Sequence, residues 1–588
     1  MSDCYVSRQH SPPSFMRIIL LLLALLVPVS AQETMIRQVF DTKTDTHVEV
    51  LALFTQPSRG GFFPVRVKIS NNLDIPRSAQ LDFASSANYS NQLSTKSSFS
   101  FTAPAKKTVT QDIMVPIGVP ASTYDNTNIS TTLSGSLGSA NHSTRVETSA
   151  DSPAVLLSEA LFTPNASSLD AENKKKSGSS YGNANFAGKF DPKQLPSDWL
   201  AFSGYDSVLM SDNDWSNVPP GARNAIQSWM NLGGQLVIFS SSNASIATLG
   251  ISKDPGFGSC LIKNIGSDHK LDPDETLNLV SKQNPVRKRV ESIITDYDGT
   301  WPLQSHFGSQ AFHYGIFIAV LILFAILVGP VNLFVLAKSD RRHRLFITTP
   351  IISLGASLLL IALIIFQDGF GGNGMRQILM EVRPDAGQNA AFLHQEQISR
   401  TGVLMSNSFN VDPACLLAPV PISKSRWARF TSDSNTRGSF NLQPSNGKMA
   451  ATGDWFQSRS EHGHAISAVV STRGRIERTA DPLVCVSTFD FPIETLYFLN
   501  EKDQWHRAES ITTGKPFNLT PIDATMAEPA LAAQANAFAT RNREIFARAK
   551  NRPNHFIALT DKAPGIDTLQ GIKWRQTHTV ITGPVTSP

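Results

Sequence analysis

YGIFIAVLILFAILVGPVNLFVLA, residues 314–337, and LFITTPIISLGASLLLIALIIF, residues 345–366, decide how this chain is organised. Each holds about the 20 apolar residues with which a helix crosses a hydrocarbon core about 30 Å thick. Neither carries a charged side chain, which near mid-bilayer would cost about 2.5–3.5 kcal/mol. Between them lies KSDRRHR, where Lys338, Arg341, Arg342 and Arg344 face a single acid, Asp340. So basic a short loop belongs on the cytoplasmic side of a membrane. The expected element is a transmembrane hairpin over residues 311–370, with a large exported piece before it and another after it.

Within the hairpin, Gly329-Pro330 should kink the first helix. Asn332 is that helix's one strongly polar residue, and a hydrogen bond to Thr348 or Thr349 of the second helix would satisfy it. Gly355, Ala356 and Ser357 offer a small-residue surface for close approach. Two helices do not enclose a pore, so a transport role is the weakest reading and would require partner membrane chains.

At 588 residues the chain exceeds what one hydrophobic core supports. With 41% hydrophobic and 17% charged residues it describes folded domains plus some membrane, not disorder. The formal net charge is +4, part of it in the hairpin loop, which implies no nucleic-acid surface.

Residues 1–31 read as a secretory signal peptide. A polar leader precedes Met16-Arg17 and the short apolar run IILLLLALLVPV, and Val29 and Ala31 occupy the small-residue positions of a cleavage site. An uncleaved anchor is the alternative, and Met16 is an alternative start; in either case the domain that follows is exported. Over residues 32–150 short alternating runs, HVEVLALF, FFPVRVKISNN, AQLDFASS, SSFSFTAP and TVTQDIMVPI, predict an immunoglobulin-like β-sandwich. Val65, Val67 and Ile69 should point inward, with Arg66 and Lys68 outward.

Residues 151–310 change character. AVLLSE is a continuous apolar strand, and the polar stretch after it, centred on KKKSGSSYGNANF, reads as a solvated loop or, less simply, a membrane-surface contact. A second buried strand is expected at 207–210. A helix then starts near Pro219-Pro220, faces inward through Ala222, Ala225, Ile226, Trp229 and Leu232, and ends at Gly233-Gly234. QLVIFSSS follows as a strand, and strand, helix, strand in succession indicates a parallel sheet covered by helices.

The features WLAFSGYDSVLMSDNDW and SWMNLGGQLVIF resemble the class I glutamine amidotransferase-like α/β domain of bacterial envelope membrane proteins. In those proteins a β-sandwich, such a domain, a two-helix transmembrane hairpin and a further β domain follow one another. Active members of that class place a cysteine on a glycine-flanked strand-to-helix elbow, with His and Glu later. Here the strand ends read MSDND and IFSSS and no G-x-C-x-G occurs, so the resemblance implies a degenerate member without catalytic residues. Cys260, in FGSCLIKNI, reads as a strand residue with a structural role. Asp212 and Asp214, with Ser240, Ser241 and Ser242, lie at strand ends where open α/β sheets bind ligands. They are the candidate ligand-binding residues for a small polar molecule or cation; turn-forming and helix-capping roles are the alternative.

Residues 371–588 read as a β-rich domain with strands at ILMEVRP, TGVLMS, PLVCVSTF and TLYFLNE, and with aromatic and basic surface at SRWARF and GDWFQSR. Glu461, His462 and His464 form the one metal-like cluster, without a convincing further ligand, so two solvent-facing imidazoles are expected and no metal. Pro529 to Lys550 is predicted as one amphipathic helix, packing through Leu531, Ala535, Phe538 and Ile545 on the sheet formed with HFIALTD and THTVITG; an interfacial membrane helix is the weaker reading. Cys415 and Cys485 share this exported piece, and either a disulfide or two buried thiols fits.

The expectation is therefore a multidomain membrane protein: β-sandwich, α/β domain with a parallel sheet, two transmembrane helices, and a C-terminal β-rich domain with one amphipathic helix. The functional reading is a non-enzymatic protein of the bacterial inner membrane. It presents periplasmic modules for protein binding or assembly, without a cofactor, with the lipid bilayer and envelope proteins as partners. An amidohydrolase-like or ligand-binding activity in the α/β domain is the alternative, and an accessory subunit of a transporter a further one.

Overall fold

The computed structural model describes residues 33–587 except 59, 88–92, 119–126, 147–152, 178–184, 243–244, 283–300, 309–313, 385–388, 421 and 423–437. The expected signal segment and SRWARF lie outside the described residues. The first body is a sandwich of two sheets. One runs in the order Glu33–Asp41, Thr46–Ala52, Gly61–Asn71, Lys107–Ile117. Val65, Val67 and Ile69 are at most 1% exposed and meet Leu81, Phe83, Phe101 and Ile129 of the facing sheet. Alternation along the strand thus sets which residues form the core.

That facing sheet has seven strands, and only four come from the N-terminal part: Arg77–Ala87, Leu93–Ala103, Thr127–Gly135 and Ala140–Val146. The other three, Phe409–Val411, Gly438–Ser445 and Lys448–Gly453, come from beyond the hairpin. Gly438–Ser445 runs parallel to Leu93–Ala103, with Phe440 opposite Thr95. The pieces on either side of the hairpin therefore share a sheet.

The α/β body is a five-stranded, all-parallel sheet in the order Ala187–Phe190, Val155–Ser158, Ser207–Ser211, Gln235–Ser240, Ser259–Asn264. In chain order this is 2-1-3-4-5, a doubly wound arrangement whose switch point lies between Val155–Ser158 and Ser207–Ser211. Four of the strands are buried on both faces, which is why the central ones read as apolar runs, while the edge strand Ser259–Asn264 is half-buried. Leu156, Val208, Met210, Leu236 and Ile238 face the helix Pro220–Asn231, through Ala222, Ile226 and Trp229. Leu157, Leu209 and Val237 face the helices Glu159–Ser177 and Pro273–Lys282. Gly233 takes φ 106°, and a Cβ on Gly234 would stand 2.4 Å from the Trp229 indole, so both glycines are needed where the helix turns back into the sheet.

The helix Glu159–Ser177 replaces the expected solvated loop. Its inner face carries Leu161 and Leu169 together with buried Asn165, whose amide donates to His269 O and accepts from Leu271 N. A polar residue on the core face hid the helical period. Lys174, Lys175 and Lys176 form its last turn, where cations suit the helix dipole.

The third body is built on a twelve-stranded sheet whose central neighbours are Glu461–Ser471, Ala390–Thr401, Gly372–Arg383 and Ile572–Thr586. Only Gly372–Arg383 and Ile572–Thr586 pair in parallel along its main path. The predicted single C-terminal helix is two, Ala524–Asn536 and Thr540–Ala549. Leu531, Ala535, Phe538 and Ile545 are buried against Ile557, Leu559 and Val580, as expected. The break comes where Ala539 N donates to the Glu396 carboxylate at 3.1 Å instead of to a helix carbonyl. TGVLMS is not a strand; Val403 forms only an isolated bridge with Phe370. GDWFQSR supplies core rather than surface, since Trp455 and Phe456 are at most 2% exposed.

The hairpin consists of the helix Tyr314–Ile326, a π-helical continuation Leu327–Leu336, a basic turn, and the helix Leu345–Asp368. The wider π turn accommodates Pro330, which has no N–H to give. Asn332 is fully buried and its Nδ2 donates to Thr349 Oγ1 at 2.9 Å. A Cβ on Gly355 would meet nothing within 4 Å, so the close approach expected there does not occur. The apolar side chains otherwise point away from the protein: Phe346 is 85% and Phe366 91% exposed.

Candidate functional site

The carboxyl ends of the parallel strands bring the predicted residues into two groups. Ser211 ends its strand and caps the short helix Asp212–Asn217. Its Oγ accepts from Asp214 N at 3.0 Å, and Asp214 Oδ2 accepts from Ser211 N at 3.3 Å. The same oxygen accepts from Ser158 Oγ at 2.6 Å. Asp214 is therefore a buried tie across the switch point, occupying the place where a ligand of a doubly wound sheet would sit.

Asp212 is half-buried and belongs to the second group. Its Oδ2 accepts from Ser240 Oγ at 2.5 Å and from Ser242 Oγ at 3.4 Å, and Ser240 Oγ accepts from Ser242 N at 3.1 Å. Ser241 is exposed beside them. One carboxylate with two hydroxyls makes a small polar cradle already satisfied by its own members. Among the described residues, no group of three or more His, Cys, Asp or Glu is arranged to hold a metal ion.

The thiols are equally constrained. Cys260 lies mid-strand opposite Leu236, and burial pushes its thiol up to about 11, so it carries a proton at neutral pH. Cys415 and Cys485 are free thiols, which corrects the disulfide alternative. They belong to separate cores, Cys415 with Phe440 and Trp455, Cys485 with Phe489 and Ile581. The histidines also depart from expectation. His464 is buried, its Nε2 3.0 Å from Trp455 O, and desolvation lowers its pKa to about 3. Glu461 pairs with Arg400 at 2.5 Å.

A cluster of buried charge lies where the α/β body meets the third body, and periodicity did not reveal it. Glu381 is fully buried and accepts from Arg552 through both oxygens, at 2.9 and 2.8 Å. Arg552 also reaches Asp254 at 3.0 Å, and Arg383 stands 2.7 Å from the other Asp254 oxygen. His555 Nε2 closes the set at 2.7 Å from Asp254. Burial opposes the ionised Asp254, but the His555 hydrogen bond and the Arg552 and Arg383 charges outweigh it and hold the carboxyl well below its usual range. This network links residues of the two bodies that lie 129 or more apart in sequence, and its charges are paired with one another. A separate polar cavity of about 340 Å³, lined by Glu33, Gln56, His142, Arg145 and Asn185, opens where the sandwich meets the α/β body.

No family model and no curated protein matches this chain. The solved structures it resembles are distant. One is a cycloisomaltooligosaccharide glucanotransferase of Paenibacillus sp. complexed with cycloisomaltoheptaose, at 12% identity over 32% of this chain and 27% of that one, with a TM-score of 0.16. Another is Bacteroides uniformis beta-glucuronidase 2 covalently bound to cyclophellitol-6-carboxylate aziridine, at 10% identity over 42% of this chain and 33% of that one, again with a TM-score of 0.16. The chain thus spans about a third or less of the length of these structures, and scores this low carry no functional argument.

Proposed function

We propose that the chain is a non-enzymatic protein of the bacterial inner membrane, held by the hairpin, with both large parts on the periplasmic side, and that it works by binding or assembling with other envelope proteins. The observation that carries this reading is the pairing of Gly438–Ser445 with Leu93–Ala103. One sheet cannot be divided by a bilayer, so the parts before and after the hairpin share a compartment. An even number of crossings between them is then required, and two uncovered apolar helices of 22 and 27 residues supply it. In that arrangement the basic turn at 338–344 faces the cytoplasm.

Binding is favoured over catalysis by how the α/β body uses its polar groups. Asp214 ties two strands, Asp212 is engaged by Ser240 and Ser242, and Cys260 is protonated at neutral pH. A degenerate amidotransferase-like domain fits that picture. A reporter active only in the cytoplasm, fused after Pro588, should be silent, and a cysteine in place of Asp340 should react with an impermeant maleimide only after the inner membrane is opened. Reporter activity at the C-terminus would overturn the topology. Crosslinking of the full chain in its native membrane should yield a reproducible protein adduct, and its absence would overturn the assembly role.

A further inference from the structure

The exit of the second apolar helix is fastened to a loop of the third body that shows apolar side chains to the outside. Gly369 and Gly371 follow the helix, and the chain at 402–403 is stitched to them. Val403 N donates to Gly369 O at 2.9 Å, Gly371 N to Val403 O at 3.0 Å, and Gly402 N to Gly371 O at 2.7 Å. Arg459 reinforces the joint. Its backbone N donates to Gly402 O at 3.0 Å, and its guanidinium pairs with buried Asp368 and lies 5.7 Å over the ring of Phe317 in the first apolar helix. Leu404 N is held by Ser458 Oγ at 3.0 Å. The loop is thus tied to the same end of both helices.

At this joint Met405 is 88% exposed, Phe370 61% and Phe366 91%. From Thr401 to Val411 the chain carries no charge: TGVLMSNSFNV. Exposed apolar tips among uncharged polar residues suit the boundary between headgroups and acyl chains, where their apolar surface leaves water. A bulk-facing loop has no such reason to hold Met405 out.

We propose that Phe370 and the loop around Met405 form a membrane-resting foot, inserted into the outer-facing leaflet beside the hairpin and setting the third body directly on the bilayer. This rests on the hairpin reading above, and the test separates the two. The full chain, with Cys4 and Cys260 changed to serine, would carry one added cysteine at a time: Met405→Cys, Leu358→Cys within the second helix, or Asp503→Cys at an exposed distant turn. Each would be labelled with an environment-sensitive fluorophore and reconstituted into phospholipid vesicles with spin-labelled lipids. The expected result is a blue shift and quenching at 405 by shallow spin labels, quenching at 358 by deep ones, and neither at 503. Quenching at 358 with none at 405 would overturn the foot and leave the hairpin standing. No quenching at 358 would overturn the hairpin and the foot together. Met405→Asp should abolish quenching of a label at Phe370→Cys, without altering protease resistance of the body; unchanged quenching would also overturn the foot.

Discussion

Phe440 lies opposite Thr95 in a parallel strand pair, although the whole apolar hairpin separates them in the chain. Phe440 is 7% exposed and packs edge-on to Trp455, at 4.8 Å between ring centroids. The N-terminal sandwich is therefore finished by residues that follow the hairpin. Phe440→Ala should cost about 3–5 kcal/mol and expose residues 77–146 to protease. A chain ending before residue 371 should show the same sensitivity. Resistance equal to the full chain would show that the shared sheet contributes nothing to the sandwich.

Between the hairpin helices, Asn332→Leu should weaken the pair by roughly 0.6–2 kcal/mol, the range for an interhelical hydrogen bond in membranes. The amide donates to Thr349 Oγ1 across the pair, a direct polar link between the two helices. Cysteines at 332 and 349 should crosslink efficiently in the membrane. If 332 crosslinked nowhere between 348 and 353, the helix pairing described above would be wrong.

Asp254 and Glu381 predict how the junction between the α/β and third bodies behaves. Glu381→Gln leaves Arg552 short of its buried counter-charge, and breaking such a pair typically costs about 3–5 kcal/mol. Because the Asp254 carboxyl is held below its usual range, its contribution is present above the unfolded value of about 3.9 and lost as pH falls beneath it. Asp254→Asn should therefore flatten the stability profile below about pH 4, read by denaturant unfolding at several pH values.

His464 acts at higher pH. Its folded pKa of about 3 lies below the unfolded value of about 6.5, so in that interval the unfolded chain binds the extra proton. Stability should fall as pH drops below about 6.5, by at most about 1.4 kcal/mol per unit for this one group. His464→Gln should remove this group's share of the slope, leaving the share of His462, whose pKa burial lowers to about 4, and the Asp254 effect below pH 4 in place.

Asp212 and Asp214 separate a ligand cradle from a structural tie. Asp214→Ala strands the Ser158 hydroxyl and the Ser211 N–H, both of which donate to its carboxylate, and should cost about 1–3 kcal/mol. Asp212→Ala, at a half-buried surface position, should cost less than about 1.5 kcal/mol. Similar losses from both, measured by thermal unfolding, would contradict the division of roles between them.

The strand Ala390–Thr401 shows where sequence reading ends. Apolar runs at 155–158, 207–211 and 235–240 determined a parallel sheet, because strands buried on both faces must be apolar throughout. Two uncharged spans determined the hairpin, and even the Asn332–Thr349 bond was legible from one polar residue placed level with a threonine. The strand ends likewise brought Asp212 to Ser240 and Ser242. AAFLHQEQISRT, by contrast, reads as too polar for the interior, yet from Ala391 onward every residue is buried. Its polar groups are satisfied from far along the chain: Glu396 by Trp301, Ala539 and Asn542, Gln395 by Ile566, Gln397 by Thr568, and Arg400 by Glu461. A buried polar group is tolerated only with such partners. Partner supply is a property of the folded chain, as is the strand 438–445 that completes a sheet begun at residue 77. Local pattern decides which segments must leave water; only the assembled structure decides which polar segments can be taken with them.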